Sequence, residues 1–317
     1  MDFDNTIDNL KNNINNELKK IYDSGPSIIK EPIYHILRGG KRIRPILCML
    51  SSLSCGGTIK DSLETAISIE LLHNFTLIHD DIMDNDDLRH GNVTIHKKWN
   101  NSIAILSGDA MLAIALIKLN NLDKKQIQVI EKFNKGLIEV CEGQALDLNF
   151  QELKKISEEE YIQMIDKKTA YMIGLSSELG AILANTNSGI QSKLRTYGLL
   201  IGRAFQIQDD LLEVVSNKNK MGKTLKSDFL LNKKTYLNVK ANIVNSNQIN
   251  EYIDIANKDF NKGFELYKDF LNNHGIINDT RSTINNILDS ADNLLKDLDI
   301  NTDYLYKYTQ LILNRKC

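Results

Sequence analysis

Two short acidic runs hold the residues whose types and spacing could do chemistry. Asp80-Asp81-Ile82-Met83-Asp84 and Asp209-Asp210-Leu211-Leu212-Glu213 each place carboxylates at i and i+4. On a helix such a pair faces one way, about one turn apart. The first run follows Glu70 to His79 and the second follows Ala204 to Ile207, both largely apolar. Carboxylates this close to apolar surroundings repel and raise one another's pKa unless a positive charge lies between them. Hard divalent cations supply that charge, and Mg²⁺ in particular takes one or two carboxylates together with phosphate oxygens. A solvated helix end accounts for one such run, but not for a matched pair of them.

Cations stand near both runs. Gly39-Gly40-Lys41-Arg42-Ile43-Arg44-Pro45 combines a glycine pair, which frees backbone amides and permits positive φ, with three cations in four positions. That composition suits a diphosphate. Arg89 and His90 follow the first acidic run, while Lys223, Lys226, Lys233 and Lys234 follow the second, with Asp228 among them. Lys167-Lys168-Thr169 adds a further pair in mid-chain. Carboxylates and cations gathered in balance read as a site for metal plus phosphate.

Helices must position these groups. Ile7, Leu10, Ile14, Leu18 and Ile21 recur at spacings of three and four, the stripe of an amphipathic helix that ends near Ser24-Gly25-Pro26. A loop over 38–45 precedes a long apolar run from Ser62 to Met83, which leads into a polar loop ending at Gly91-Asn92. Helical patterns then cover 101–120, 125–152, 158–186, 189–216 and 233–247. Three more, over 250–273, 278–297 and 302–315, bring the total to about ten to twelve helices. The chain has 3 prolines in 317 residues, Pro26, Pro32 and Pro45, and none after them. Together with the helical period this predicts an all-α protein. No repeat of fixed period and no flexible linker divides it, so residues 1–317 are expected to form a single domain.

Composition narrows the function. With 39 basic and 41 acidic residues, for a net charge of −2, there is no positive excess to neutralise nucleic acid or an anionic membrane. Cys48, Cys55, Cys141 and Cys317 lack metal-binding or redox spacing and read as thiols of a reducing, cytoplasmic compartment. The N-terminus lacks a secretory pattern, and the apolar stretch Ile103 to Ile117 is interrupted by Asp109, so no membrane span is expected.

The motifs together resemble the trans-type polyprenyl diphosphate synthases, all-α enzymes of the isoprenoid-synthase type whose helical bundle surrounds a central cavity. GGKRIRP (39–45), LIHDDIMDNDDLR (77–89), SGDAML (107–112), EGQALD (142–147), KTA (168–170), FQIQDDLLE (205–213) and GKTLKSDFLLNKKTY (222–236) occur in the family's order and spacing. The resemblance implies Mg²⁺-dependent head-to-tail condensation of isopentenyl diphosphate with an allylic diphosphate (dimethylallyl, geranyl or farnesyl), in a prenyltransferase that is usually a homodimer. It implies that Gly40, Lys41, Arg44, His73 and His90 bind isopentenyl diphosphate. Asp80, Asp84 and Asp209 would be the main ligands of about three Mg²⁺ ions, with Asp81, Asp210 and Glu213 in or near that shell. Arg89, Lys168, Lys223 and Lys233 would complete the allylic diphosphate site. Thr169, Gln206, Gln144 and Asp147 match residues lining the reaction centre.

Three positions depart from the family pattern. His90 stands where a second arginine is usual, and imidazole is only partly charged at neutral pH, so weaker isopentenyl diphosphate binding is expected. Glu213 replaces a third aspartate, and Lys226 stands at a common glycine. Phe75, five places before the first motif, is expected to form the floor that stops chain growth. The motif has no insertion, which points to a geranylgeranyl product, with farnesyl or a longer polyprenyl diphosphate as the alternative. A class I terpene cyclase would have no use for a second diphosphate site such as Gly39 to Pro45. A non-catalytic subunit of a heteromeric synthase would be expected to lose one acidic run.

Overall fold

The structure, a computed structural model, describes residues 2–89, 91–123, 125–215 and 229–313. The N-terminal stripe becomes α1 (Phe3–Leu18), which buries Leu10, Ile14 and Leu18. Next come α2 (Ser27–Leu37) and α3 (Ile43–Ser54), separated by a turn in which Gly39 and Gly40 hold φ of 80° and 92°. Only glycine takes such angles without Cβ strain. Thr58 starts α4 (Ile59–Met83) with a capping box to Asp61. This helix buries residues around its whole circumference, from Thr65 to Asp81, as befits an element packed on several sides.

After α4 the chain makes a two-residue antiparallel hairpin, β1 (Leu88–Arg89) with β2 (Asn92–Val93). These are the only strands among the described residues, in agreement with the all-α expectation. The short α5 (Ile95–Lys98) leads to α6 (Asn101–Asn120), which packs along α4, and then to α7 (Gln126–Glu152).

The pattern read as one helix over 158–186 is divided. It comprises α8 (Glu158–Ile165), a π-helical turn over Asp166–Ala170, and α9 (Tyr171–Leu183). The Tyr171 amide reaches back five residues to the Asp166 carbonyl, so one turn carries an extra residue. No proline or glycine marks the place, and apolar spacing is blind to it.

α10 (Ser188–Val215) crosses α9 and the π turn. The C-terminal part comprises α11 (Tyr236–Lys258), α12 (Phe260–Asn273), α13 (Ile276–Lys296) and α14 (Asp303–Leu313). The expected break near 248 falls instead at Asn245, whose φ of −158° interrupts α11.

Buried apolar side chains form two clusters. The larger joins α1, α3, α4, α6 and α9; the smaller gathers α8, α11 and α12 with Ala204, Ile207, Leu211 and Val214 of α10. Each fully buried Leu, Ile or Phe contributes about 1.5–3 kcal/mol. α10 contributes to both clusters and carries the second acidic run, while α4, in the larger cluster, carries the first.

Candidate active site

A cavity of about 1000 Å³ opens between these elements. The last turn of α4 supplies Asp80, Asp81 and Asp84, and α10 supplies Gln206, Asp209 and Glu213. The π turn contributes Lys168 and Thr169. Gly40, Lys41, Arg44 and His73 stand on the lining with Arg89 and Lys233. Residues far apart in the sequence thus meet on one wall system, with the two i, i+4 acidic pairs lining the same space.

The carboxylates are held in a poorly solvated place. Burial pushes Asp80 up to about 6, opposed by the attraction of Lys168 and reinforced by repulsion from Asp84. Asp84 is also raised, again chiefly by burial, and Lys168 and Lys233 act against the rise. Lys168 Nζ lies 2.5 Å from Asp147 Oδ2, and Lys233 Nζ lies 3.9 Å from Asp84 Oδ2. Asp84 Oδ1 is buried and receives no hydrogen bond. An orphaned carboxylate oxygen beside desolvated acids is a donor atom for a hard cation. Among the described residues no three Asp, Glu, His or Cys side chains gather as a ready-made cage. The acidic side chains on the lining offer oxygen donors only, which suits a hard divalent cation completed by ligand oxygens and water.

Also on the lining, Arg44 Nη1 lies 3.2 Å from His73 Nε2. Arginine can only donate, so Nε2 accepts and the imidazole carries its proton on Nδ1. Burial lowers Arg44 to about 10, partly offset by Glu70 and Asp209, so the guanidinium remains charged; its Nε is buried without a partner. Lys41 is exposed at the rim.

Arg42, counted among the three cations of its loop, plays another part. Its backbone is left-handed (φ 56°) and its side chain is 4% exposed. Nη1 donates to Glu70 Oε1 at 2.6 Å, Nη2 to the Leu37 carbonyl at 2.5 Å, and Nε to Asn15 Oδ1 at 3.1 Å. All three nitrogens are thus engaged by the protein, and the pair ties α1, α2 and α4 behind the loop that presents Lys41 and Arg44. Sequence reading missed Glu70 and Asn15. The one available signal was an acid inside an apolar helix, which needs a partner.

Other expected residues stand back from the lining. Phe75 packs on His79, ring centroids 4.5 Å apart, and reaches Gly108 of α6. Gln144 is buried with neither amide atom hydrogen bonded, and Asp147 reaches the site through Lys168. Asp210, expected in or near the cation shell, is 5% exposed and is not among the lining residues. Asp209 lines the cavity and Asp210, about 100° further round α10, does not. His90, Lys223 and Lys226 lie outside the described residues.

Residues 26–271 match the family model described as polyprenyl synthetase. The chain belongs to this family. This polyprenyl synthetase is 40% identical over 236 residues to the geranylgeranyl diphosphate synthase of Saccharolobus solfataricus, covering 73% of this chain and 71% of that one. Its fold matches a crystal structure of a geranylgeranyl pyrophosphate synthase with TM-score 0.92 and 34% identity, over 98% of this chain and 99% of the other. The corresponding enzyme of Pyrococcus horikoshii matches at TM-score 0.90 and 30% identity, over 99% and 98%. The polyprenyl synthetase is a prenyltransferase.

Proposed function

We propose that this prenyltransferase condenses isopentenyl diphosphate with allylic diphosphates and ends at geranylgeranyl diphosphate. The observation that carries the reading is the joint lining of one cavity by two acidic pairs together with Lys41, Arg44, Arg89, Lys168 and Lys233. Cations in this number suit two diphosphates. Lys41, Arg44 and His73 bind that of isopentenyl diphosphate, joined by His90 and the Gly40 turn. Arg89, Lys168, Lys233 and Lys223 bind the allylic one.

Asp80, Asp84 and Asp209 would hold the Mg²⁺ ions, which when bound act as Lewis acids toward the allylic diphosphate. The lysines and Arg89 stabilise negative charge as it develops on the departing diphosphate and the allylic C–O bond breaks. Thr169 Oγ1 and Gln206 Oε1, on the lining and hydrogen bonded to each other, would offer lone pairs to the developing cation. The isopentenyl double bond attacks, and the proton lost afterwards goes to the released diphosphate, since no side chain here is poised as a general base. The walls keep water from the cation. Phe75 is assigned as the stop for the growing chain.

The chain acts as one domain and as a cytoplasmic homodimer. α6 is the one helix among the described residues long and apolar enough to cross a membrane, but it packs on α2, α4 and α7. Its outer face carries Ile105, Leu106 and Ile117, all exposed, and a second copy would cover them better than lipid would, because Asp109, 60% exposed at its side chain, lies among them.

Purified protein with Mg²⁺, labelled isopentenyl diphosphate and each of dimethylallyl, geranyl and farnesyl diphosphate tests the reading. Chromatography should show a twenty-carbon terminus. Absence of condensation with every primer overturns it.

A further inference from the structure

Asp210 sits next to a cavity carboxylate but is turned away from the cavity. Its Oδ2 accepts the Tyr161 hydroxyl at 2.6 Å and the Tyr236 backbone N–H at 2.7 Å. Its Oδ1 accepts Gln206 Nε2 at 2.9 Å. Tyr161 is itself 1% exposed, held within the smaller apolar cluster. Both oxygens are therefore occupied by protein donors.

Two consequences reach the site. Held by its hydrogen bond to Oδ1, the Gln206 amide presents its NH₂ to Asp210. The Gln206 carbonyl then points the other way, where Thr169 Oγ1 donates to it at 3.0 Å, and both residues line the cavity. With the amide reversed, an N–H dipole would face the reacting carbons in place of a lone pair. The second consequence runs through Tyr236, the first residue of α11, which stands three positions after Lys233. Fixing the Tyr236 amide fixes the end of the segment that brings Lys233 to within 3.9 Å of Asp84.

We infer that Asp210, braced by Tyr161, is a positioning residue for prenyl transfer that sets the polarity of the Gln206 amide and anchors the segment bearing Lys233. This rests on the prenyl-transfer reading above, and it gives Asp210 a role other than holding the cation although the acidic run includes it.

The test compares Tyr161→Phe, Asp210→Asn and the double variant with Asp80→Asn as a control for a metal ligand. Tyr161→Phe removes one hydroxyl from a buried ring and keeps its volume, so it remains informative if Asp210→Asn folds poorly. Steady-state rates are measured across Mg²⁺ and allylic diphosphate concentrations, and amide hydrogen exchange is followed over 234–238 in the metal-free protein. Tyr161→Phe and Asp210→Asn should each lower kcat by about 3- to 10-fold while leaving the Mg²⁺ half-saturation within about two-fold. The double variant should be no slower than Asp210→Asn, because both act through one carboxylate. Exchange at the Tyr236 amide should quicken in both single variants, and Asp80→Asn should raise the Mg²⁺ requirement. A large rise in Mg²⁺ half-saturation for Asp210→Asn, with Tyr161→Phe behaving as wild type, overturns the inference, as does unchanged exchange at Tyr236. Wild-type protein that condenses no primer sinks the prenyl-transfer reading itself, whereas the other two outcomes leave it standing.

Discussion

Arg89 closes on Asp81: its Nε donates to Asp81 Oδ1 at 2.6 Å, so the hairpin strand is tied to the last turn of α4. Asp81 is 2% exposed, and burial pushes it up to about 6 against the pull of Arg89. The middle carboxylate of the first run thus seats a cation of the protein. Asp81→Asn keeps the shape and removes the charge, and a charge-assisted hydrogen bond is worth about 1.5–3 kcal/mol. The expected result is a rise of about 10-fold or more in KM for the allylic diphosphate, with the Mg²⁺ requirement little altered. Asp80→Ala should instead lower kcat by about 10³-fold, in the range for losing transition-state charge stabilisation. Rates near wild type for Asp80→Ala would remove that residue from the metal site.

Acid should weaken the fold through Glu158. Burial works to raise its pKa, but hydrogen bonds from Lys240 and Tyr236 outweigh it, and the net shift is downward from 4.5. Tyr236 Oη donates to Oε1 and Lys240 Nζ to Oε2, both at 2.7 Å. A carboxyl with a depressed pKa binds fewer protons folded than unfolded, so its contribution is full above the unfolded value and is lost as pH falls through the folded one. Glu158→Gln should therefore lower the urea midpoint at pH 6, and the gap from wild type should close as the pH drops below about 4. A gap that stays constant down to pH 3 would show that ionisation of Glu158 does not matter.

Gly143 is the place where α7 meets the π turn. A Cβ there would fall 2.3 Å from the Lys168 amide nitrogen and 2.6 Å from its Cα, and backbone cannot step aside as a flexible side chain can. Gly143→Ala must push the π turn away from α7, at a cost of about 1–3 kcal/mol, as for other overpacked contacts. Lys168 and Thr169 move with it, so kcat should fall alongside the unfolding free energy. Urea unfolding and turnover measured on the same preparation check both. Wild-type values for the two would mean that α7 yields there freely.

The facing of Asp80 with Asp84, and the choice of helices over strands, were legible because helical period alone dictates them. The roles of Asp81 and Asp210 were not, since both depend on partners distant in the chain, Arg89 for the one and Tyr161 and Tyr236 for the other. The inward turn of Arg42 was not. It depends on a left-handed backbone at φ 56°, which arginine seldom adopts and which its three side-chain hydrogen bonds stabilise. Nor was the π turn, because one extra residue inside a helix leaves the apolar pattern of α8 and α9 almost unchanged while it redirects Lys168. Tyr161 carried no sign at all: a tyrosine in an apolar stripe reads as core until its hydroxyl is seen to reach Asp210.

Phe75 tests how the product is limited. It is 8% exposed, its ring lies against His79, and it faces Gly108 on α6, where even an added Cβ would come within 3.4 Å of the ring. The ring therefore fills the contact between α4 and α6, and with Phe75 proposed as the stop, this is the space a longer prenyl tail would have to enter. Phe75→Ala opens this space, and truncating a buried phenylalanine costs about 3–5 kcal/mol, so the variant should unfold earlier than wild type. Bound product of greater length would fill the void and recover part of that loss. The expected terminus moves from twenty carbons to longer chains, with condensation itself retained because the acidic runs and the cation groups are untouched. Phe75→Leu, which leaves most of the volume in place, should give an intermediate distribution. A terminus fixed at twenty carbons in both variants would place the stop elsewhere in the bundle.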